Sequence, residues 1–367
     1  MTCPEKNASP NALPADEPQQ KAEALMSKQI SRTLLQDVAL EAGVSTASVS
    51  RVLNRAPHVS ERLRRRVEAA IDQLGYVPDG TARALASRRI GAIGALVPTL
   101  DNPIFSAMID SLEQRLKRHD CRLLIATYRY DLDDELQALR TLVQQGVDGV
   151  VLIGHDHRPA VKTLLERRHL PFLTSWHAKD DPKWPCIGFD NTAPARHLAH
   201  HLLMLGHHRL AVITAPTDGN DRARARLEGF RQAIAAAGRD LPPEYTVTVN
   251  YGIAEGAQAF ETLMGLEEPP TAILCGNDTL AFGVLLAAQR AGVSIPEELS
   301  VTGFDDLPQA RFMSPPLTTI AVPANEIGRQ VADTLIASIG GNTPPHRRLL
   351  DAPLVLRQST GPVPPAS

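Results

Sequence analysis

With 367 residues, 43% hydrophobic and 22% charged, the chain is long enough for two or three domains and can bury a core without disulfide or metal staples. Its net charge of −3 gives no hint of a nucleic-acid partner. No run of about 18 apolar residues predicts a membrane span, and the polar, proline-rich first 28 residues lack a secretory h-region, so a cytosolic protein is expected. Cys3, Cys121, Cys186 and Cys275 lie far apart with no C-x-x-C pair, which argues against a disulfide framework or a zinc finger.

Residues 1–27 carry Pro4, Pro10, Pro14 and Pro18 and few large apolar side chains, and read as a disordered tail. Met26, just before the first periodic segment, is a second candidate start. From Thr33 the pattern is helical. Thr33 and Gln36 fit a capping box, and Leu35, Val38 and Ala39 follow at helical spacing. Gly43 supplies a turn and Ser45 caps a second helix with Val49, Val52 and Leu53 on one face. A third helix starts near Ser60, buries Leu63, Val67, Ala70, Ile71 and Leu74, and stops at Gly75 and Pro78.

From Ile90 the period changes. Apolar runs at 92–97, 122–126, 149–153, 171–174, 210–214, 272–275 and 300–303 predict strands, and amphipathic segments at 104–118, 132–145, 192–205, 224–237 and 277–291 predict helices between them. This alternation is the signature of parallel, doubly wound α/β sheets. Residues 90–360 exceed one such sheet, so two lobes are expected, followed by a disordered 361–367.

Helix, tight turn and helix over LLQDVALEAGVSTASVSRVLN (34–54) is helix-turn-helix grammar. Burying Val49, Val52 and Leu53 leaves Thr46, Ala47, Ser50 and Arg51 on the outer face near the helix start, where a recognition helix meets base edges. Arg51 can hold guanine O6 and N7 with both arms of its guanidinium, Thr46 and Ser50 can reach bases or phosphates, and Ala47 can touch a thymine methyl. A bland helical hairpin with a solvated face is the alternative.

The blocks VSRVLN (49–54), HVSERLRRRVEAAIDQLGYVP (58–78) and ARALASRRIGAIGALVP (82–98) closely resemble the LacI/GalR family of bacterial transcription regulators, and the resemblance runs from about Thr33 to Gln358. It implies an all-α DNA-binding headpiece (28–80), with Thr46, Ala47, Ser50, Arg51 and Asn54 at the DNA. It also implies a hinge helix and linker (81–89) in which Leu85 wedges into the minor groove and Arg83 neutralises phosphate. Beyond these it implies a two-lobed, periplasmic-binding-protein-like core (90–360). The expected protein is a homodimeric repressor on a near-palindromic operator, not an enzyme, with no cofactor and no metal. Asp79-Gly80 departs from the Asn-Arg that many members carry after the proline. Charge agrees with this layout: residues 28–89 carry +5, the tail −2 and the remainder −6.

The same resemblance places Ile104, Phe105, Asp190, Arg226, Tyr251, Asn277 and Asp305 at an effector cleft between the lobes. Carboxylate, amide and aromatic groups suit a small polar ligand, a sugar or sugar acid. Arg222 shares a helical face with Arg226 while Arg224 points away, so two guanidiniums would favour an anion unless Arg222 and Arg224 are spent in surface ion pairs. His197, His200 and His201 have metal-ligand spacing, whereas His207 in its Gly-His turn reads as structural. Trp176 and His177 fit a pocket edge or plain packing. A regulator gated by a protein partner and a solute-binding transport component are the competing readings.

Overall fold

The computed structural model describes residues 33–53, 56–77, 90–178, 184–342 and 346–363. The expected hinge, the N-terminal tail and 364–367, with Asn54, Arg83 and Leu85, lie outside them. The start of the expected disordered C-terminus is instead ordered, because the Gly361 amide donates to Ser300 Oγ at 3.0 Å and the Val363 amide to the Leu205 carbonyl at 2.9 Å. The chain separates into two compact units, 1–82 and 83–367.

In the first unit, helices α1 (Leu35–Glu41), α2 (Thr46–Leu53) and α3 (Glu61–Leu74) surround Val38, Ala39, Ala42, Val49, Val52, Val67, Ala70 and Tyr76. The predicted caps hold at Ser45, whose hydroxyl accepts from the Ser48 amide at 3.2 Å, and at Ser60, which accepts from Leu63 at 3.3 Å. Gly75 ends α3 in the left-handed conformation, φ 57°. The first cap differs from the prediction. Leu34 takes the N-cap position, Asp37 accepts from its amide at 2.7 Å, and Thr33 instead donates to the Leu74 carbonyl. Asp37 sits three residues beyond Leu34, so the reciprocal carboxylate bond is available one register later than expected.

The second unit holds two parallel sheets. Lobe 1 contains β1 (Ala92–Val97), β2 (Arg122–Thr127), β3 (Gly149–Ile153), β4 (Phe172–His177) and β5 (Cys186–Phe189), with helices α4 (Pro103–Lys117), α5 (Leu132–Gln144) and α6 (Pro159–Arg167). Lobe 2 contains α7 (Thr192–Met204), β6 (Leu210–Thr214), α8 (Asp221–Ala236), β7 (Thr246–Thr248), α9 (Ile253–Met264), β8 (Ala272–Cys275), α10 (Asp278–Ala291) and β9 (Ser300–Thr302). A short β10 (Thr319–Ile320) follows. Helix α11 (Ala324–Ile339) then returns to pack on α4 and the lobe 1 sheet, and β11 (Arg347–Leu349) adds to that sheet beside β5. Finally β12 (Leu354–Val355) pairs antiparallel with β10.

The sheet orders are β11-β5-β4-β3-β1-β2 and β7-β6-β8-β9. Central strands β1 and β3 are buried along their whole length, which is why they read as unbroken apolar runs. Five strands escaped the sequence reading. β5, β7, β10, β11 and β12 are two to four residues long, a length at which only β8 and β9 are read from the sequence. Helices α6, α9 and α11 were also missed, and α8 begins three residues earlier than predicted, capped by Asn220, which accepts from Ala223 at 3.3 Å. The chain passes between lobes at 190–191, between β10 and α11, and again near its C-terminus, so the strand carboxyl ends of both sheets face a common cleft.

Candidate functional site

On α2, Thr46, Ala47 and Arg51 are exposed and Ser50 is half-buried, while Val49 and Val52 face inward. The turn before this helix is held from α3. Arg66 donates from Nε to the Ala42 carbonyl at 3.2 Å and from Nη2 to the Gly43 carbonyl at 3.0 Å. Arg66 therefore holds the turn between α1 and α2, and Arg65 is engaged by Glu61 at 3.3 Å.

In the core, Arg226 is the centre of a buried polar cluster. Its Nε donates to Asn191 Oδ1 at 3.0 Å, its Nη1 donates to the Gly276 carbonyl at 2.7 Å, and its Nη2 stands 3.7 Å from Asp305 Oδ1. The guanidinium lies 3.9 Å from the centre of the Phe304 ring. Neither oxygen of Asp305 accepts a hydrogen bond from the protein, and Asn277 Nδ2 is likewise buried without a partner. Burial pushes the Asp305 carboxyl up to about 8, with Arg226 opposing the rise and Asp278 adding to it. Asp278 itself is pushed to about 6 by burial, against the pull of bonds from Thr319 and the Leu307 amide.

Arg222 also points inward, beside Tyr128, Tyr130 and Tyr251, and Arg224 points out to Asp156, as the helical spacing requires. Arg222 carries its own counter-ion: Nη1 donates to Asp221 Oδ1 at 2.7 Å. Burial would raise Asp221, but the Arg222 charge holds its carboxyl below the usual range. Tyr130, Tyr251, Asn102 and Asn220 line a cavity of about 320 Å³. Ile104 and Asp305 line a separate one of about 450 Å³. Phe105 packs against Trp176, ring centres 4.9 Å apart.

These two constellations, a helix-turn-helix and a polar cleft between parallel lobes, match one family along the chain. Residues 34–79 match the bacterial regulatory proteins of the lacI family, and 90–356 match the periplasmic binding proteins and sugar binding domain of LacI family. The chain belongs to the LacI family. It is 33% identical to the HTH-type transcriptional repressor CytR of Escherichia coli (strain K12) over 92% of this chain and 99% of that one. It is 35% identical to the ribose operon repressor of the same strain over 89% and 99%. Among solved structures, the lac repressor dimer bound to operator and an anti-inducer aligns with TM-score 0.78 at 27% identity, over 90% of this chain and all of that one. A LacI family regulator from Enterococcus faecium with bound ribose aligns with TM-score 0.66 at 27% identity, over 74% and 99%. The chain is thus a LacI-family DNA-binding transcriptional repressor, and the family consists of regulators rather than enzymes. Among the described residues no helix is long and apolar enough to cross a membrane.

Within this LacI-family core, the residues singled out by sequence do not all converge. Asp190 accepts from the Thr192 amide at 2.8 Å and so helps start α7. The next residue, Asn191, sits in the cluster instead, donating to the Trp176 carbonyl at 3.2 Å while it holds Arg226. Residue order alone could not separate these neighbours, because the lobe crossover turns between them. Asn277 caps α10, accepting from Leu280 at 2.9 Å, and presents its amide nitrogen inward. His155, unnoticed in the sequence, sits half-buried against the His177 carbonyl at 2.7 Å, and burial lowers its pKa.

Among the described residues no cluster of three or more His, Cys, Asp or Glu could hold a metal. His197 and His200 are exposed, and His201 contacts Thr360 at 3.1 Å. His207 is fully buried between Thr271, Ser300 and the Gly361 carbonyl, all at about 3 Å, and it ties the C-terminal segment to lobe 2.

Proposed function

We propose that this repressor senses a neutral polyhydroxyl ligand, of sugar or nucleoside type, bound directly between its lobes. The observation that carries the reading is a mixed set of orphaned donor and acceptor atoms in the cleft. Arg222 is neutralised by Asp221, and Arg226 already spends directed bonds on Asn191 and Gly276, so neither guanidinium is free for the bidentate grip a sugar acid calls for. The two oxygens of Asp305, Asn277 Nδ2 and Arg222 Nη2 are buried without hydrogen-bond partners. Hydroxyl groups, which both donate and accept, satisfy that mixed set better than an anion does. Ribose in the Enterococcus faecium relative supports the same chemical class. Tyr251 in the cavity of about 320 Å³ and Ile104 in the one of about 450 Å³ supply apolar wall.

On this reading two protomers place Thr46, Ala47, Ser50, Arg51 and Asn54 in adjacent major grooves of a near-palindromic operator, with Leu85 and Arg83 at the hinge. Ligand binding shifts the lobes and changes operator affinity, and operator changes ligand affinity by the same factor. The test is calorimetry and thermal shift of the full chain with D-ribose, a hexose panel, ribonucleosides and D-gluconate, followed by operator anisotropy with each binder. Stabilisation by neutral sugars or nucleosides, lost in Asp305→Ala, is expected. Preference for gluconate overturns neutral-ligand selection. Indifference to every compound at millimolar concentration favours gating by a protein partner.

A further inference from the structure

The lobes are joined at one edge of the cleft by a set of contacts that form between protein groups alone. The loop after β3 in lobe 1 meets the first turn of α8 in lobe 2. Arg222 Nη1 donates to the Ile153 carbonyl at 3.3 Å, and the His155 amide donates to Asp221 Oδ2 at 2.8 Å. Arg224 Nη2 donates to both oxygens of Asp156 at 2.8 Å, while its Nη1 donates to the Thr217 carbonyl within lobe 2. Between these contacts Gly154 has φ +80°, and a side chain there would collide with Arg222 and Asp221. The approach is backbone to side chain with no room to spare.

The loop is held in shape from inside lobe 1. Its Gly154 amide donates to the Ser175 carbonyl at 2.8 Å, and the His155 ring reaches the His177 carbonyl. His157 bridges Glu135 at 2.7 Å and the Gly154 carbonyl at 2.9 Å, both side chains being fully buried, and Arg158 bonds Asp133 at 2.7 Å. A loop fixed this way presents a carbonyl, an amide and a carboxylate to α8 at little cost in ordering. We propose that Ile153, His155 and Asp156 form an interlobe clasp with Asp221, Arg222 and Arg224. It holds the present lobe arrangement whatever occupies the cleft, so that any lobe movement works against it. Asp221 then acts as a positioning residue that neutralises Arg222 and commits its Nη1 to the clasp, leaving Nη2 to the cleft. The clasp does not depend on which ligand class binds.

The experiment uses the full chain with Cys3→Ser, spin labels introduced through Arg168→Cys in lobe 1 and Glu228→Cys in lobe 2, and dilution with unlabelled chain so that only separations within one chain are read. Asp156→Arg and Arg224→Asp are each expected to broaden and lengthen the interlobe distance distribution. Each is also expected to speed hydrogen exchange of the 154–158 amides by about fivefold or more. The double reversal, with the charges exchanged, is expected to restore both readouts. Unchanged distances in the single variants overturn the proposal, as does a double variant that behaves like the singles. If a reversal fails to fold, Asp156→Asn and Arg224→Gln remove the fork without repulsion, and the same two outcomes decide.

Discussion

Arg226 stops 3.7 Å short of Asp305, and Asp305 accepts no hydrogen bond from it. The pair attracts through space while the guanidinium spends its directed bonds on Asn191 and Gly276. A buried carboxylate so weakly compensated keeps its proton to about pH 8.

That proton has a consequence for stability. The folded-state pKa of Asp305 lies well above the ordinary aspartate value of about 3.9, so the folded protein binds more protons than the unfolded one between those limits. Stability from this group is therefore full below about pH 4 and is lost as pH rises through about 8. Asp278, raised to about 6, contributes in the same direction over a narrower window. Urea titrations from pH 5 to 9 are expected to show Asp305→Asn gaining on the wild type as pH rises. A difference that is flat with pH would contradict the assignment.

His207 works with the opposite sign. Burial, reinforced by His201 and His208, lowers its pKa against the pull of the Gly361 carbonyl. The unfolded state then takes the proton first, and this stability is lost as pH falls below about 6.5. Replacing it, His207→Ala, removes one partner each from Thr271, Ser300 and the Gly361 carbonyl and opens a hole, at an expected cost of about 2–4 kcal/mol. Faster exchange in residues 359–363 should accompany the loss.

In the headpiece, two arginines are expected to separate cleanly. Arg51→Ala should cost about 1–3 kcal/mol of discrimination at one guanine position and leave headpiece melting unchanged. By contrast, Arg66→Ala releases the carbonyls at the turn, so it should lower headpiece stability by about 1 kcal/mol and weaken binding to every operator variant alike. Operator-mutant anisotropy alongside thermal melts distinguishes the two patterns.

Helices α9 and α10 cross at a glycine contact. A methyl at Gly283 would meet the Ile253 carbonyl and would lie 2.9 Å from Gly256 Cα. Gly283→Ala should force the helices apart and destabilise lobe 2 by about 1–3 kcal/mol. Because α10 carries Asn277 at its start, ligand affinity should fall with it. Calorimetry on the folded variant measures the second effect.

The repressor fold was legible wherever a pattern repeats. Buried strands such as β1 show as apolar runs, α2 shows its recognition face through Val49 and Val52, and the +5 charge of 28–89 stands apart from the acidic remainder. The i, i+4 spacing correctly turned Arg222 inward and Arg224 outward. Strands of two to four residues are too short to set a period, and of these β8 and β9 are read from the sequence while β5, β7 and β10–β12 are not.

What sequence alone determined is the architecture and the family, because both rest on local periodicity and on contiguous motifs. What only the tertiary structure decided is the electrostatic character of the cleft. The carboxylate beside Arg222 is its own neighbour Asp221, but the contacts that lock this pair come from Ile153 and His155, about seventy residues away. Likewise Asn191 rather than Asp190 reaches Arg226, and Asp305 meets a guanidinium from α8. Charge balance depends on distance in space, and a linear chain does not encode which distant groups will share a dry site until the lobes are folded.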